Sequence, residues 1–328
     1  MIVSLLSANL LLMRLLLLLS AWLLAAHAWG SSCLPSALNP PLCDRSGNLV
    51  ADPPENQRAL RNPRVLIFSY TPVEDPAVYA AVWTEFIDHL SATIGRPVRF
   101  FPVQSNAAQL EAMRAGRLHV AGFNTGATPL AVNCAGFVPF AMMARADESY
   151  GYEMEIIVRA EGSIQSVQDL KGRDVAFTQP TSNSGFKVPS LLLADMGLVE
   201  GRDFRGRFSG KHDNSILGVI NRDYDAAAVA NSVLRRMLAR GVIADDALRT
   251  IYRSDTFPTT AYGHAHDLNP ELAAKVREAF FSFDWEGTAL EAEFRESGEA
   301  QFIPITYREH WALVRQIDEA SGIEYLCR

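Results

Sequence analysis

The sequence predicts an α/β chain of two lobes, each a mostly parallel sheet flanked by helices, joined by two hinge strands. Three observations carry that expectation. Short apolar runs alternate with amphipathic runs long enough to cross between parallel strands. The alternation occurs twice, from Arg64 and again from Arg173. Two extended segments lie where the chain must pass from one series to the other. A chain of 328 residues, 48% of them hydrophobic, is long enough to bury two cores. The expected division is a leader over 1–28, an extended arm over 29–62, one lobe from 63–153 and 256–328, and a second from 154–255.

The leader is read from "LLLMRLLLLLSAWLLAAHA", an apolar run with one positive charge and no acid, ending in Ala26-His27-Ala28. That is the pattern of a secretory signal cut after Ala28, with export to the periplasm. A start at Met13 would put Arg14 at the head of the run. The rival is an uncleaved membrane anchor. "GSSC" before Cys33 lacks the upstream leucine of a lipoprotein. Residues 29–62 are rich in Pro, Asn, Asp and Ser and read as loop. Asp44, Ser46, Asn48, Asp52 and Glu55 fall near calcium-loop spacing, but Leu49 stands where the turn wants glycine and no helices flank it.

The first series reads "RVLIFSY" as strand, "PAVYAAVWTEFIDHLSATIG" as one helix ending at Gly95, and "PVRFFPV" as strand. "NAAQLEAMRAG" is then a helix and "LHVAGF" a strand. The second series alternates strands "RDVAFTQ", "DFRGRFSG" and "YDAAAVA" with helices "SGFKVPSLLLADMG", "NSILGVINR" and "NSVLRRMLARG", then adds strand "LRTIYRS". "GYEMEIIVRAEG" and "SDTFPTTAYG" are the expected crossings. Helices near "PELAAKVREAFFSF" and "REHWALVRQIDEASG" close the chain.

Charge limits the partners. Acids outnumber bases by 37 to 30, and loss of the leader removes Arg14 alone, taking the net charge from −7 to −8. No basic tract appears, which argues against nucleic acid. An anion site must therefore be built locally from backbone NH groups and hydroxyls. Cys33, Cys43, Cys134 and Cys327 remain after processing, and an oxidising compartment allows three pairings. Cys43 with Cys327 is the favoured pair, since both segments need tying down. None has metal-site spacing, and no cofactor motif appears.

Catalytic patterns are missing. There is no G-x-S-x-G elbow, no H-x-x-x-H or H-E-x-x-H pair, no P-loop, and no G-x-G-x-x-G after the first strand. Polar clusters at strand ends are present instead. "TQPTSNSGFKVP" places Ser182, Asn183, Ser184 and Gly185 between a strand and a helix, where ligands gather in open α/β sheets. A cap needs one such residue, and several crowd here. The helix end supplies free NH groups and a partial positive charge, so the loop is an anion cradle needing no cation. Gly185 is expected to let the ligand approach the backbone. "FSGKHDNSILGV" puts His212 at a second loop, beside Asp213 or Asn214 as the cap. Asn124 and Thr125 end a third strand, Asn106 opens a helix, and Tyr70 and Thr71 end the first strand. These loops face one cleft.

The stretch "DVAFTQPTSNSGFKVPSLLL" resembles the segment Asp-Pro-x-Ser-Thr-Ser-Gly-[Tyr/Phe]-x-[Val/Phe]-Pro of phosphonate-binding proteins of ABC importers. "LKGRDVAF", "FSGKHDNSILGV", "DYDAAAVA", "GYEMEIIV", "EDP" and "EAMRAGRLHVAGF" follow in that family's order, over about Arg64 to Arg253. The resemblance implies the two-lobed periplasmic binding protein fold of type II, closing on a phosphorus oxyanion and delivering it to an ABC permease at the inner membrane. It implies Ser182, Asn183 and Ser184 as the cradle and His212 as an oxyanion contact. This sequence departs from the family at Asn106 and at Gly122 or Phe123, where tyrosines are usual. It departs again at Ser232 and Thr260, where acids hold an ammonium. The departures point to phosphate, phosphite or a small uncharged alkylphosphonate. Two other roles share the fold: a sensor domain for another organic oxyanion, and an enzyme using Cys134 as nucleophile.

Overall fold

The computed structural model describes Cys33 and residues 38–327. The leader lies outside the described residues. Chain order begins β1 (Leu66–Tyr70), α1 (Pro76–Val82), α2 (Thr84–Ile94), β2 (Val98–Phe100), α3 (Asn106–Arg114), β3 (Val120–Phe123), α4 (Thr128–Ala135), β4 (Phe137–Ala144) and β5 (Tyr152–Arg159). It continues β6 (Asp174–Phe177), α5 (Val188–Asp195), β7 (Arg205–Phe208), α6 (His212–Ile220), β8 (Ala226–Ala230), α7 (Asn231–Ala239) and β9 (Leu248–Phe257). The last elements are β10 (Ala261–Ala265), α8 (Pro270–Ser282), α9 (Ala289–Phe294), β11 (Gln301–Pro304), α10 (Tyr307–His310) and α11 (Ala312–Ala320).

Two sheets result, in strand order β11-β4-β10-β3-β1-β2 and β7-β6-β8-β5-β9. In the first, β1 runs parallel to β2 and β3. In the second, β6 runs parallel to β7 and β8. The strands next to the crossings pair antiparallel: β10 with β3 and β4, β11 with β4, and β5 with β8 and β9. Each sheet is therefore mixed, because a strand that arrives from the other lobe enters in the reverse direction. The chain passes from β4 to β5 through 145–151 and returns from β9 to β10 through 258–260.

Each sheet is covered on both faces. Period-two alternation turns Leu66, Phe68 and Tyr70 toward Trp83, Phe86 and Phe280. The opposite face holds Ala121 and Phe123 against Ala131, Trp311 and Val314. Leu38, Val50 and Ala51 of the N-terminal arm are buried in that same cluster. In the second sheet, Met154, Ile156 and Val158 face Leu193 and Phe204, while Ile157 faces Ile216, Val233 and Met237.

Several expectations change. The single helix over 76–95 is two, broken at Trp83, whose φ of −88° and ψ of 0° are not helical. The break accompanies full burial of the Trp83 ring, 4.9 Å from Phe68 and 5.3 Å from Phe86, so packing outweighs periodicity. Strand β4 has no counterpart in the sequence reading. Its run "FVPFAMMA" is apolar throughout and carries Pro139, which argues against a central strand. Pro139 is tolerated because the β4–β10 register shifts there.

The arm's acids serve the arm itself. Asp44 accepts hydrogen bonds from the NH groups of Gly47, Asn48 and Leu49, and Asp52 accepts from those of Arg45 and Ser46. No group of residues that could hold a metal ion occurs among the described residues. The favoured disulfide is also corrected: Cys33 pairs with Cys43, and Cys134 with Cys327, at Cα separations of 5.1 and 5.2 Å. Pairing follows Cα proximity, which the linear sequence does not display. Cys134 closes α4 beside the passing C-terminal segment, and with no free thiol it is no nucleophile.

Candidate functional site

The lobes meet along a hydrogen-bonded seam. Asn106 donates through its backbone NH to Gln179 Oε1 (3.0 Å) and through Nδ2 to Thr181 Oγ1 (2.8 Å). The NH of His212 donates to the Val73 carbonyl (3.1 Å), and the NH of Asp75 to Asp213 Oδ2 (3.0 Å). Lys187 Nζ, on the cradle side, donates to the Gly126 carbonyl and to Asp318 of α11 (2.7 Å). Gly126 lies so close to the other lobe that a Cβ there would stand 2.4 Å from the Thr181 carbonyl oxygen.

Behind the seam is a cavity of about 60 Å³. Seven of the ten candidate residues line it: Tyr70, Asn124, Thr125, Ser182, Asn183, Ser184 and His212. Ser232 and Thr260, read as standing where acids are usual, line it as well.

Ser182 caps the turn 183–187, its Oγ accepting from the Gly185 NH at 3.0 Å. With that acceptor position used, its hydroxyl hydrogen is available to a ligand. The turn is a wide, π-type one leading into α5, so Asn183 and Ser184 both face the cavity instead of winding away. Asn183 Nδ2 donates to the Tyr152 hydroxyl (3.3 Å).

His212 is the first residue of α6; Lys211 holds the N-cap position without a side-chain cap bond, and neither Asp213 nor Asn214 stands there. The Ala230 NH donates to its Nδ1 at 3.2 Å, which leaves Nε2 to carry the proton as a donor. Burial lowers the His212 pKa to about 4, with Glu74 opposing and Arg236 assisting. Burial likewise lowers His264 to about 4. A histidine whose folded pKa is depressed adds stability that is present above its unfolded pKa and lost as pH falls. Each is therefore expected to cost about 3 kcal/mol of stability between roughly pH 6.5 and 4. Chemical denaturation across that window should show the decline, and His212→Gln should make it shallower. An unchanged slope in the variant would refute the assignment.

Three candidates lie off the cavity. Asn106 sits on the seam and accepts from Asn124 Nδ2 (2.9 Å). Thr71 Oγ1 accepts from the same amide nitrogen (3.2 Å). Both hold Asn124, whose Oδ1 also accepts from the Ala127 NH. Gly185 does not admit a ligand. A Cβ there would stand 2.1 Å from Thr178 Oγ1 and 2.7 Å from Ser182 Oγ, so its bare backbone makes room for the cap.

Two charged residues were missed. Arg236 of α7 is 3% exposed and lines the cavity, so a cation stands on the wall beside the cradle read from the sequence. Its Nη2 donates to Glu74 Oε1 (3.0 Å) and the Tyr79 hydroxyl (3.3 Å), and Nε lies 3.3 Å from Glu293. Nη1 carries two more N–H donors. Arg240 bridges Glu74 and Glu293. Burial pushes the Glu74 carboxyl up, and Arg236, Tyr79 and Arg240 together hold it below its ordinary value. Burial also opposes the charge on Arg236, but Tyr79 and Glu74 outweigh it. The sequence held a signal, since Arg236 falls on the helix face of Val233 and Met237. The second is Glu299, 8% exposed and also on the cavity wall. Nothing in "ESGEAQ" marks it.

Donors from both lobes thus converge on one small pocket, an arrangement suited to an oxyanion. The chain is also similar to known proteins. The Phosphate-import protein PhnD of Mycolicibacterium smegmatis is 27% identical over 291 residues, covering 84% of this chain and 89% of that protein. A binding protein component of an ABC phosphonate transporter from Pseudomonas aeruginosa shares the fold, with a TM-score of 0.73 and 21% identity over 80% of this chain and 87% of its own. PhnD1 from Prochlorococcus marinus, solved with methylphosphonate, gives 0.70 at 18% identity, covering 80% of this chain and 100% of its own. Residues 68–311 match the family described as ABC transporter, phosphonate, periplasmic substrate-binding protein, and the chain belongs to that family.

Proposed function

We propose that this protein captures a small phosphorus oxyanion, such as phosphate, phosphite or methylphosphonate, and hands it to an ABC permease at the membrane. One observation carries the reading: a cavity of about 60 Å³ lined from both lobes by Ser182, Asn183, Ser184, His212 and Arg236. Export by the leader would place it where such a permease is loaded. Solved and curated relatives bind methylphosphonate or import phosphate by their printed names, which supports the ligand class. In this reading Ser182 and Ser184 donate hydroxyl hydrogens, His212 donates through Nε2, and Arg236 supplies the charge. A ligand touching both lobes favours their closed arrangement by its differential affinity.

The test is calorimetry and melting shift on ligand-stripped protein with the three candidates. Ser182→Ala combined with Ser184→Ala is expected to weaken binding at least about 100-fold, from two lost hydrogen bonds to a charged group. The fold should survive, because the cap is worth only about 1 kcal/mol. Unchanged affinity in the double variant would overturn the site, and no response to any candidate would overturn the ligand class.

A further inference from the structure

Glu299 is the one acid on the cavity wall, and its Oε2 is buried with no hydrogen-bond partner among the described residues. Its backbone is pinned on both sides. Gly298 before it adopts φ 87° and donates to the carbonyls of Phe294 and Arg295, while the Ala300 NH after it donates to the Ala144 carbonyl. The side chain is thus held against the cavity by a turn on one side and the entry to β11 on the other. A buried carboxylate oxygen without a donor is costly, so the site favours an occupant that brings one.

The rest of the wall narrows what that occupant is. Ser182, His212 and Arg236 present hydrogens and call for an oxyanion; Glu299 presents an acceptor and calls for a hydrogen. Asn183 Oδ1 is a second buried acceptor without a partner, but its amide can turn to donate, whereas a carboxylate cannot. An ammonium on a longer ligand would meet the Glu299 demand as well, but a proton kept by the oxyanion itself meets it without any tail. The smallest ligand that meets both demands is an oxyanion that keeps a proton of its own.

We infer that Glu299 accepts a hydrogen bond from the P–OH of a singly protonated phosphorus oxyanion, and so selects such ligands over equally sized sulfonates. This rests on the proposed function and adds its basis of discrimination. Methylphosphonate and methanesulfonate are close in size, and each presents a single negative charge when the former is singly protonated. Only the former has a proton to give; the sulfonate would set a bare oxygen against the Glu299 carboxylate.

Titration calorimetry of ligand-stripped protein near pH 6.5 with methylphosphonate, phosphate and methanesulfonate tests this. Wild type is expected to favour methylphosphonate over methanesulfonate by at least about 100-fold. Glu299→Gln should shrink that preference to under about tenfold, since its amide can donate to a sulfonate oxygen. A preference unchanged in the variant, or absent in wild type, overturns the inference while leaving the phosphorus reading intact. Absence of any phosphorus oxyanion binding overturns that reading and this inference with it. Should Glu299→Gln fail to fold, wild type still decides. Above the second ionisation of methylphosphonate, titrations in two buffers of different ionisation enthalpy should show uptake of about one proton per ligand bound. Binding without uptake would refute the proposal.

Discussion

Replacing Arg236 with alanine is expected to abolish measurable ligand binding and to lower stability by about 3–5 kcal/mol. Both losses follow from one geometry. Arg236 is buried among Glu74, Glu293 and Tyr79, and it also lines the cavity. Its removal leaves Glu74, 1% exposed, with Arg240 and the Tyr79 hydroxyl as its remaining partners. For a chain of this size the melting temperature should fall by roughly 10 °C. Arg236→Lys separates the effects. It restores charge without the planar fork, so it should recover part of the stability and little of the affinity. A melting temperature that falls while affinity stays at the wild-type value would show that Arg236 only joins the lobes.

The second large effect is expected at Lys187. Lys187→Met should destabilise the protein by about 3–5 kcal/mol, because Asp318, 1% exposed, loses its only cationic partner among the described residues. The Tyr325 hydroxyl, 2.9 Å away, is then its main remaining donor. Burial pulls the Lys187 pKa down against the attraction of Asp318, so the pair is held at some desolvation cost. Removing both charges, as Lys187→Met with Asp318→Leu, should therefore cost much less than the two single changes added together. Denaturant titration of the four proteins measures the coupling. Additive single effects would show that the two side chains do not depend on each other.

Seven of the ten candidate residues line the cavity because strand-end position and side-chain type are both local properties. Ser182 and His212 sit where an apolar run stops and a helix begins, and that junction is visible in one dimension. Asn106 and Thr71 share the signal but turn to support Asn124, a difference set by rotamer and neighbour. Gly185 was misread for a related reason, since a glycine that admits a ligand and one that admits a threonine look alike in sequence. Arg236 left a trace, a charge on an apolar helix face. Glu299 left none, because its place on the cavity wall depends on its neighbour Ala300 bonding to Ala144, 156 residues earlier. The α/β alternation was plain except at β4, where an unbroken apolar run hides the strand period. The favoured disulfide failed because connectivity is a property of folded distance.

The Cys134–Cys327 bond spans 193 residues and encloses β4 through α11, including the whole second sheet and the cavity wall from Phe137 onward. Mechanically, that makes the second sheet a side branch, while Tyr70, Asn124 and Thr125 of the cavity wall stay on the loaded path. A pull applied between the N-terminal arm and the C-terminus runs along the chain to Cys134 and crosses directly to Cys327. Roughly 650 Å of extended chain is thereby kept out of the line of force. Drag or tethering at the ends therefore loads the arm and the leading strands of the first sheet, and spares the second sheet.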